Sequence, residues 1–355
     1  MTRFYSPLAQ DHLHPSARVE YMNSPHANSI TNKVHPLLIP DGYQINTKPT
    51  ERLANFIRTN IFEGHHGCSA YGGGGIGKTT AITYLTDNAS RWLINTDKQP
   101  MAVAMRMVMA SGIRRTDRAF WSTMNERIGI GTSSGTTSAV GMAKLRHLIG
   151  SRCGQAGVSR MVLFIDNAQR ITEAEYEYME DLDSMILQDR LNLFLVLIRQ
   201  SDAEGVEVGD DWRDRGTHSI RRWFMSTTPF GPLVGLEEVK HALNGYDSSW
   251  WPTPEMPYSR YFAKEAFDNG WRLSSQASLI WEVVGEMRKK GKLPESKAWP
   301  MATFTLMVRQ LLCEIAFRQE NFNGFTADQI ATALQNCGYL RLEYVRARMR
   351  MPPGG

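Results

Sequence analysis

No apolar run in this 355-residue chain is long enough to cross a bilayer. A spanning helix needs about 18–20 consecutive apolar residues; the longest runs here, Met161–Ile165 and Leu193–Ile198, are strand-sized. The opening residues, Met1-Thr-Arg-Phe-Tyr-Ser-Pro7, lack the basic-then-apolar order of a secretory signal. A cytoplasmic protein without a membrane partner is therefore expected. Cysteine is scarce: Cys68, Cys153, Cys313 and Cys337 stand far apart without metal-ligand spacing, which leaves them as reduced thiols packed like small hydrophobes. An excess of one charge is also missing. Lys and Arg number 40 against 36 Asp and Glu, for a net charge of +4, a balance that permits nucleic-acid binding without demanding it. The distribution is more telling, with acid gathered over Glu173–Asp189 and Arg341, Arg346, Arg348 and Arg350 gathered at the end. What the chain does have is a hydrophobic content of 42%, enough for a globular core, and room for about two domains.

Glycine is concentrated where it carries chemistry. Residues Gly72-Gly73-Gly74-Gly75-Ile76-Gly77-Lys78-Thr79 read G-x-x-x-x-G-K-T, with Thr80 next in line. Glycines let successive backbone N–H groups turn inward around phosphates, and the lysine adds a cation that reaches the same oxygens. The Thr79 hydroxyl is placed to ligate Mg²⁺. A strand over His65–Tyr71 precedes the loop and a helix from about Thr79 to Leu85 follows, aiming its N-terminal dipole at the phosphates. ATP and Mg²⁺ are the expected ligands, held by Gly72 to Thr80.

Along the rest of the chain, residues 1–48 hold five prolines (Pro7, Pro15, Pro25, Pro36, Pro40) and no sustained period, which reads as an extended arm. Pro49–Ile61 has a helical face. Strands are expected at Met101–Met109, Met161–Ile165 and Leu193–Ile198, and helices at Thr116–Ile130, Met142–Ser151 and Thr172–Gln188, the last with Thr172 and Glu175 in a capping box. Gly129–Gly141 reads as a flexible connection. Strands alternating with helices specify a parallel sheet with helices on both faces. From about Arg260 strands vanish and helices dominate: Leu279–Lys289, Pro300–Gln319, Thr326–Asn336 and Leu342–Met351. The division expected is an arm at 1–48, an α/β nucleotide-binding domain at 49–250 and a small all-helical lid with a basic tail at 251–355.

Met161-Val-Leu-Phe-Ile-Asp166 is an apolar strand ending in aspartate, the pattern that orients Mg²⁺ in the same α/β unit as the glycine loop. Position 167 departs from the glutamate usual in additional-strand ATPases. Asn167 can position water but cannot take its proton, so slow hydrolysis is expected, with Glu173 or Glu175 as substitutes if they are not simply starting a helix. Strand Leu193–Ile198 leads into Arg199-Gln200-Ser201, where Gln200, with Arg199 second, would sense phosphate. Arg221 and Arg222, in Ser219-Ile-Arg-Arg-Trp-Phe224, are candidates for an arginine that reaches a neighbouring subunit's γ-phosphate.

Together these segments resemble the AAA+ superfamily and, within it, the TnsC/TniB regulators of bacterial transposons, including CRISPR-associated ones. The resemblance covers about residues 45–345. It rests on Gly72–Thr79, on Leu163-Phe-Ile-Asp166-Asn-Ala-Gln169, on Ile220-Arg-Arg-Trp-Phe-Met225 with Pro232-Leu-Val-Gly-Leu-Glu-Glu-Val-Lys240 and Leu243, and on the small lid and proline-rich arm. It implies an ATPase that assembles as a ring or helical filament around double-stranded target DNA. It further implies partners on two faces, a TniQ-type target-selection complex and transposase subunits. In ring ATPases the loop Ser111–Arg118 faces the pore, which makes Arg114, Arg115 and Arg118 the expected contacts to DNA phosphates. Two other readings stay open: a helicase-loader or replication-initiator ATPase, and a nucleotide-gated DNA scaffold with little hydrolysis, the option Asn167 favours.

Overall fold

The computed structural model describes residues 34–112, 116–131, 136–201 and 220–350. They form two compact units. One spans Pro49–Gly231; the other combines the described parts of Met1–Lys48 and Pro232–Gly355.

The first unit is built on five parallel strands: β1 (Gly67–Gly72), β2 (Val103–Val108), β3 (Arg160–Asp166), β4 (Asn192–Gln200) and β5 (Thr227–Pro229). Their order, β2-β3-β4-β1-β5, inserts β4 between the strand that leads to the glycine loop and the strand that ends in Asp166. Both faces are covered, which is why β3 and β4 are apolar at nearly every position. Val162 and Phe164 of β3 pack toward α1 (Lys48–Phe62) and α2 (Lys78–Asp87), with Leu53, Ile57, Ile61 and Ile82. Met161, Leu163 and Ile165 face the opposite way, toward α3 (Asp117–Ile128), α4 (Ser138–Ala156) and α5 (Glu173–Gln188), with Phe120, Leu145, Ile149, Tyr176 and Met179. This is the expected α/β architecture of parallel sheet and flanking helices.

Local chemistry accounts for most element boundaries. Thr116 caps α3, its hydroxyl accepting from Ala119 N at 3.2 Å. Thr172 and Glu175 form the capping box of α5. Helix α4 begins earlier than the sequence suggested, because Thr137 caps it by accepting from Val140 N. Gly141, expected to loosen a connection, instead lies inside α4, and a Cβ there would stand 2.8 Å from Trp121 Cβ. It permits close packing of two helices. Residues 132–135 of that connection lie outside the described residues.

The second unit is helical: α6 (Gly235–Ser248), α7 (Tyr258–Phe262), α8 (Lys264–Asp268), α9 (Ala277–Lys290), α10 (Met301–Gln310), α11 (Ala327–Asn336) and α12 (Tyr339–Arg350). A two-stranded antiparallel pair, β6 (Leu233–Val234) with β7 (Ala298–Trp299), ties the segment before α6 to the segment before α10. The division therefore falls near residue 232 rather than 250. Leu233, Val239, Leu243 and Tyr246 belong to the helical core, since α6 turns its apolar face there. The expected Pro300–Gln319 helix is α10 continued by a π-helical stretch, Leu311–Ala316.

The described end of the proline-rich arm packs into this helical unit. His35 is fully buried within a ring of aromatics, with centroids of Trp251, Tyr258, Tyr261 and Phe262 between 4.5 and 5.2 Å from its own. Its Nδ1 accepts from Leu37 N at 3.1 Å. Tyr43 and Tyr246 share a hydroxyl hydrogen bond of 3.0 Å. Burial disfavours the imidazolium and pulls the His35 pKa from 6.5 down to about 3. Between those values the unfolded chain takes up a proton that the folded chain refuses. The stabilising contribution is therefore complete above pH 6.5 and lost progressively below it. The helical unit is expected to lose about 1.4 kcal/mol from this residue between pH 7.5 and 5.5. Urea unfolding at the two pH values should show that loss in the wild type and not in His35→Phe; equal slopes in both would contradict it.

Candidate nucleotide site

The glycine loop joins β1 to α2, and its glycines serve two purposes. Gly72 is a packing position: a Cβ there would stand 2.3 Å from Phe230 O and 2.6 Å from Ile76 Cδ1. Gly75 and Gly77 are conformational, with φ of 71° and 95°, the left-handed region that favours glycine. Gly73 and Gly74 open outward. A Cβ on Gly73 would meet nothing within 4 Å, and one on Gly74 only Gln200 Nε2 at 3.9 Å. Ile76 is buried and anchors the loop to the α1–α2 core. Gly77 stands at the N-cap of α2 without a capping side chain, which leaves the first helical amides to the loop. Thr80 is exposed on the first turn.

Lys78 and Thr79 open α2 in the expected places. Lys78 Nζ donates to Gly72 O at 2.7 Å and Gly73 O at 2.6 Å, so the ammonium lies along the loop. Burial pushes its pKa down and the nearby Asp166 carboxylate opposes that shift, the electrostatics of a cation poised to gain from an arriving anion. Thr79 Oγ1 donates to Asp166 Oδ2 at 2.6 Å, which brings together the two side chains expected at Mg²⁺. The remaining carboxylate oxygen, Oδ1, accepts from Asn167 N at 2.9 Å. An oxygen pair of this kind, one hydroxyl and one nearly buried carboxylate, suits a hard divalent cation that keeps most of its water.

Asn167 has φ 57° and ψ 38°. Among residues with a side chain, asparagine and aspartate tolerate this left-handed conformation best. The chain therefore turns sharply out of β3 at the residue where glutamate was expected. Glu175 is buried and accepts from Thr172 N at 2.8 Å, which places it at the start of α5; Glu173 lies in the same first turn. Gln200 ends β4 opposite Gly72 in register, with its amide beside Gly74. Arg199 points the other way, buried with its guanidinium carbon 5.7 Å from the Phe224 ring centroid.

The structure separates the other candidates. Arg222 Nη1 donates to the buried Asp183 at 2.7 Å, and His66 Nδ1 stands 3.5 Å from the same oxygen. Burial raises the Asp183 pKa, against the pull of His66 and Arg222. Arg222 is thus engaged within its own subunit. Arg221 shares the segment Ile220–Phe224, and its side chain lies outside the described residues. Arg118 lies exposed in the first turn of α3, with its amide bonded to Asp117 Oδ1 at 2.6 Å. Arg114 and Arg115 lie outside the described residues. Of the C-terminal arginines, Arg346 is nearly buried and bonded to Glu343 at 2.8 Å, which removes it from any exposed basic strip. The sequence reading gave Gln169 no role of its own; its Oε1 accepts from Gln200 N at 3.1 Å. Its one visible signal was its place three residues after Asp166. Among the described residues no helix is long and apolar enough to cross a membrane.

Residues 65–206 match the family model described as an AAA domain. That range holds the glycine loop, Asp166 and Gln200, so the first unit carries an AAA-type P-loop ATPase domain. No curated protein sequence matches the chain. Among solved structures, the chain is similar to the Aeropyrum pernix ORC1 protein in complex with DNA, at 13% identity and a TM-score of 0.38, over 86% of this chain and 87% of that one. It is similar to Cdc6p from Pyrobaculum aerophilum at 12% identity and a TM-score of 0.37, over 88% and 97%. A third likeness is to C. elegans PCH-2, at 11% identity and a TM-score of 0.41, over 82% and 68%.

Proposed function

We propose that this AAA-type domain binds and slowly hydrolyses ATP with Mg²⁺, and that the nucleotide gates assembly of the protein on double-stranded DNA. The observation that carries the nucleotide reading is the Thr79–Asp166 hydrogen bond beside Lys78, which joins both halves of the motif at the open end of the loop. Gly73, Gly74 and the first amides of α2 would cradle the phosphates, Lys78 would offset their charge, and Thr79 with Asp166 would hold Mg²⁺. Bound Mg²⁺ would neutralise charge that builds on the phosphate oxygens. Gln200 would contact the terminal phosphate or the attacking water.

The finer reading rests on the sequence resemblance. It makes the protein a regulator of transposition that oligomerises as a ring or helical filament on target DNA and links a TniQ-type complex to transposase subunits. Arg114, Arg115 and Arg118 would track DNA phosphates, which predicts binding that is nearly indifferent to sequence and weakened by salt. Arg222 is engaged by Asp183, which leaves Arg221 the stronger candidate for an arginine acting across a subunit interface.

One observation favours a second reading, a nucleotide-gated scaffold: the residue after Asp166 is an asparagine in a left-handed turn. Phosphate release with and without duplex DNA separates the two. An ATPase gives slow turnover that rises with DNA; a scaffold gives none in either case. Asn167→Glu is expected to raise the rate by supplying a base, while costing about 1 kcal/mol of stability for a longer side chain in the left-handed region. A rate unchanged or lowered, in a variant that still binds ATP, would count against water activation as the limiting step.

A further inference from the structure

The turn after β3 is tied to the strand on either side of it. Asn167 reverses the chain, and Ala168–Arg170 forms one 3-10 turn with Ala168 fully buried. Two successive side chains then diverge. Arg170 Nη1 donates to Met109 O, just past the end of β2, at 3.1 Å. Gln169 Oε1 accepts from Gln200 N, at the end of β4, at 3.1 Å. The turn is thus braced from both sides, and the Gln169 carboxamide is delivered to a set position.

Gln169 supplies the Gln200 N–H with an acceptor that the β3 strand does not. The β3–β4 ladder ends with Asp166 opposite Ile198, so Gln200 lies beyond the last β3 residue that could bond it. A strand end whose N–H bonds only to solvent frays more readily than one held by the protein. The Gln169 side chain stands where the next β3 carbonyl would have been. On the other flank, Ser201 N donates to Gly72 O at 3.0 Å. The end of β4 is therefore fixed to Gln169 through one residue and to the glycine loop through the next. From this backbone the Gln200 amide reaches Gly74, the outward-facing part of the loop.

We infer that Gln169 is a positioning residue for hydrolysis: it completes the β4 ladder with its side chain and so fixes Gln200 over the phosphate end of the loop. This rests on the ATPase reading above. Phosphoryl transfer depends on orientation more than on a strong base, so losing the brace should slow turnover without much weakening nucleotide binding. The chemical requirement on residue 169 is an acceptor at the right reach. Glutamate meets it; alanine does not, and methionine has the length without the acceptor.

Steady-state phosphate release tests this with Gln169→Ala, Gln169→Met, Gln169→Glu, Gln200→Ala and the double alanine variant. The expected result is a kcat about 10- to 100-fold lower for the alanine and methionine variants, with KM within about threefold. Gln169→Glu should stay within about threefold of wild type. Because Gln169 acts through Gln200, the double variant should be no slower than Gln200→Ala alone. Wild-type turnover in Gln169→Met, an equally slow Gln169→Glu, or a double variant whose loss equals the product of the single losses would overturn the inference. A wild type that releases no phosphate, with or without duplex DNA, would remove the ATPase reading itself and this inference with it. An active wild type with an active Gln169→Met removes only the role of Gln169.

Discussion

Replacing Lys78 with alanine is expected to lower ATP affinity by about 100-fold or more, since charge-assisted contacts to phosphate are among the strongest polar contacts a site can offer. The local geometry says why so much rests on one side chain. The Lys78 ammonium lies along the loop, bonded to Gly72 O and Gly73 O, and burial already disfavours its charge. An arriving phosphate supplies the counter-charge that the carbonyls supply only in part. Alanine would leave helix α2 intact, because alanine is the best helix former and Gly77, Ile76 and the α2 core are untouched. Calorimetric titration of Mg-ATP into the variant, with circular dichroism as a check on folding, measures the effect. ATP binding at wild-type affinity in a folded variant would contradict the loop assignment.

The second large effect is one of stability. Glu343 on α12 is buried and receives Arg288 Nη1 from α9 and Arg346 Nη1 from its own helix, the latter at 2.8 Å. Arg288 also donates to Tyr339 Oη at 3.1 Å and to Pro294 O at 2.7 Å. Removing the carboxylate takes the counter-charge from two nearly buried guanidinium groups, and a buried pair broken on one side costs about 3–5 kcal/mol. Glu343→Ala should destabilise the helical unit by that amount in urea unfolding. Glu343→Gln should lose less, because its amide oxygen can still accept one of the two guanidinium bonds. A loss below about 1 kcal/mol in the alanine variant would mean that water reaches the site.

These two predictions differ in how far the sequence announced them. Lys78 sits in a local pattern whose spacing encodes its chemistry, and the same holds for Thr79 and Asp166. Strands β3 and β4 were legible because burial on both faces leaves an unbroken apolar run. The Glu343 cluster was not legible, since its partners meet through the packing of α9 against α12, and a glutamate among arginines reads as solvated charge. Gln169 was hidden for a related reason: its hydrogen bond joins residues 31 apart in the chain. Gly141 misled, because a glycine among serines and threonines looks flexible until Trp121 is placed against it. Asn167 was read as a missing carboxylate; its left-handed backbone adds a conformational reason for an asparagine there. Arg221 and Arg222 looked equivalent as neighbours in sequence; the buried Asp183 engages Arg222, a contact between residues 39 apart in the chain.

The central claim is that ATP held by Gly72–Thr80 and Asp166 gates assembly on duplex DNA. Fluorescence anisotropy of a labelled duplex, titrated with the protein alone and with Mg-ATP, a non-hydrolysable analogue or Mg-ADP, tests it most directly. The account predicts tight, salt-weakened binding with ATP and with the analogue, little binding with ADP or without nucleotide, and the same affinity for duplexes of unrelated sequence. Equal binding in all four conditions would contradict it.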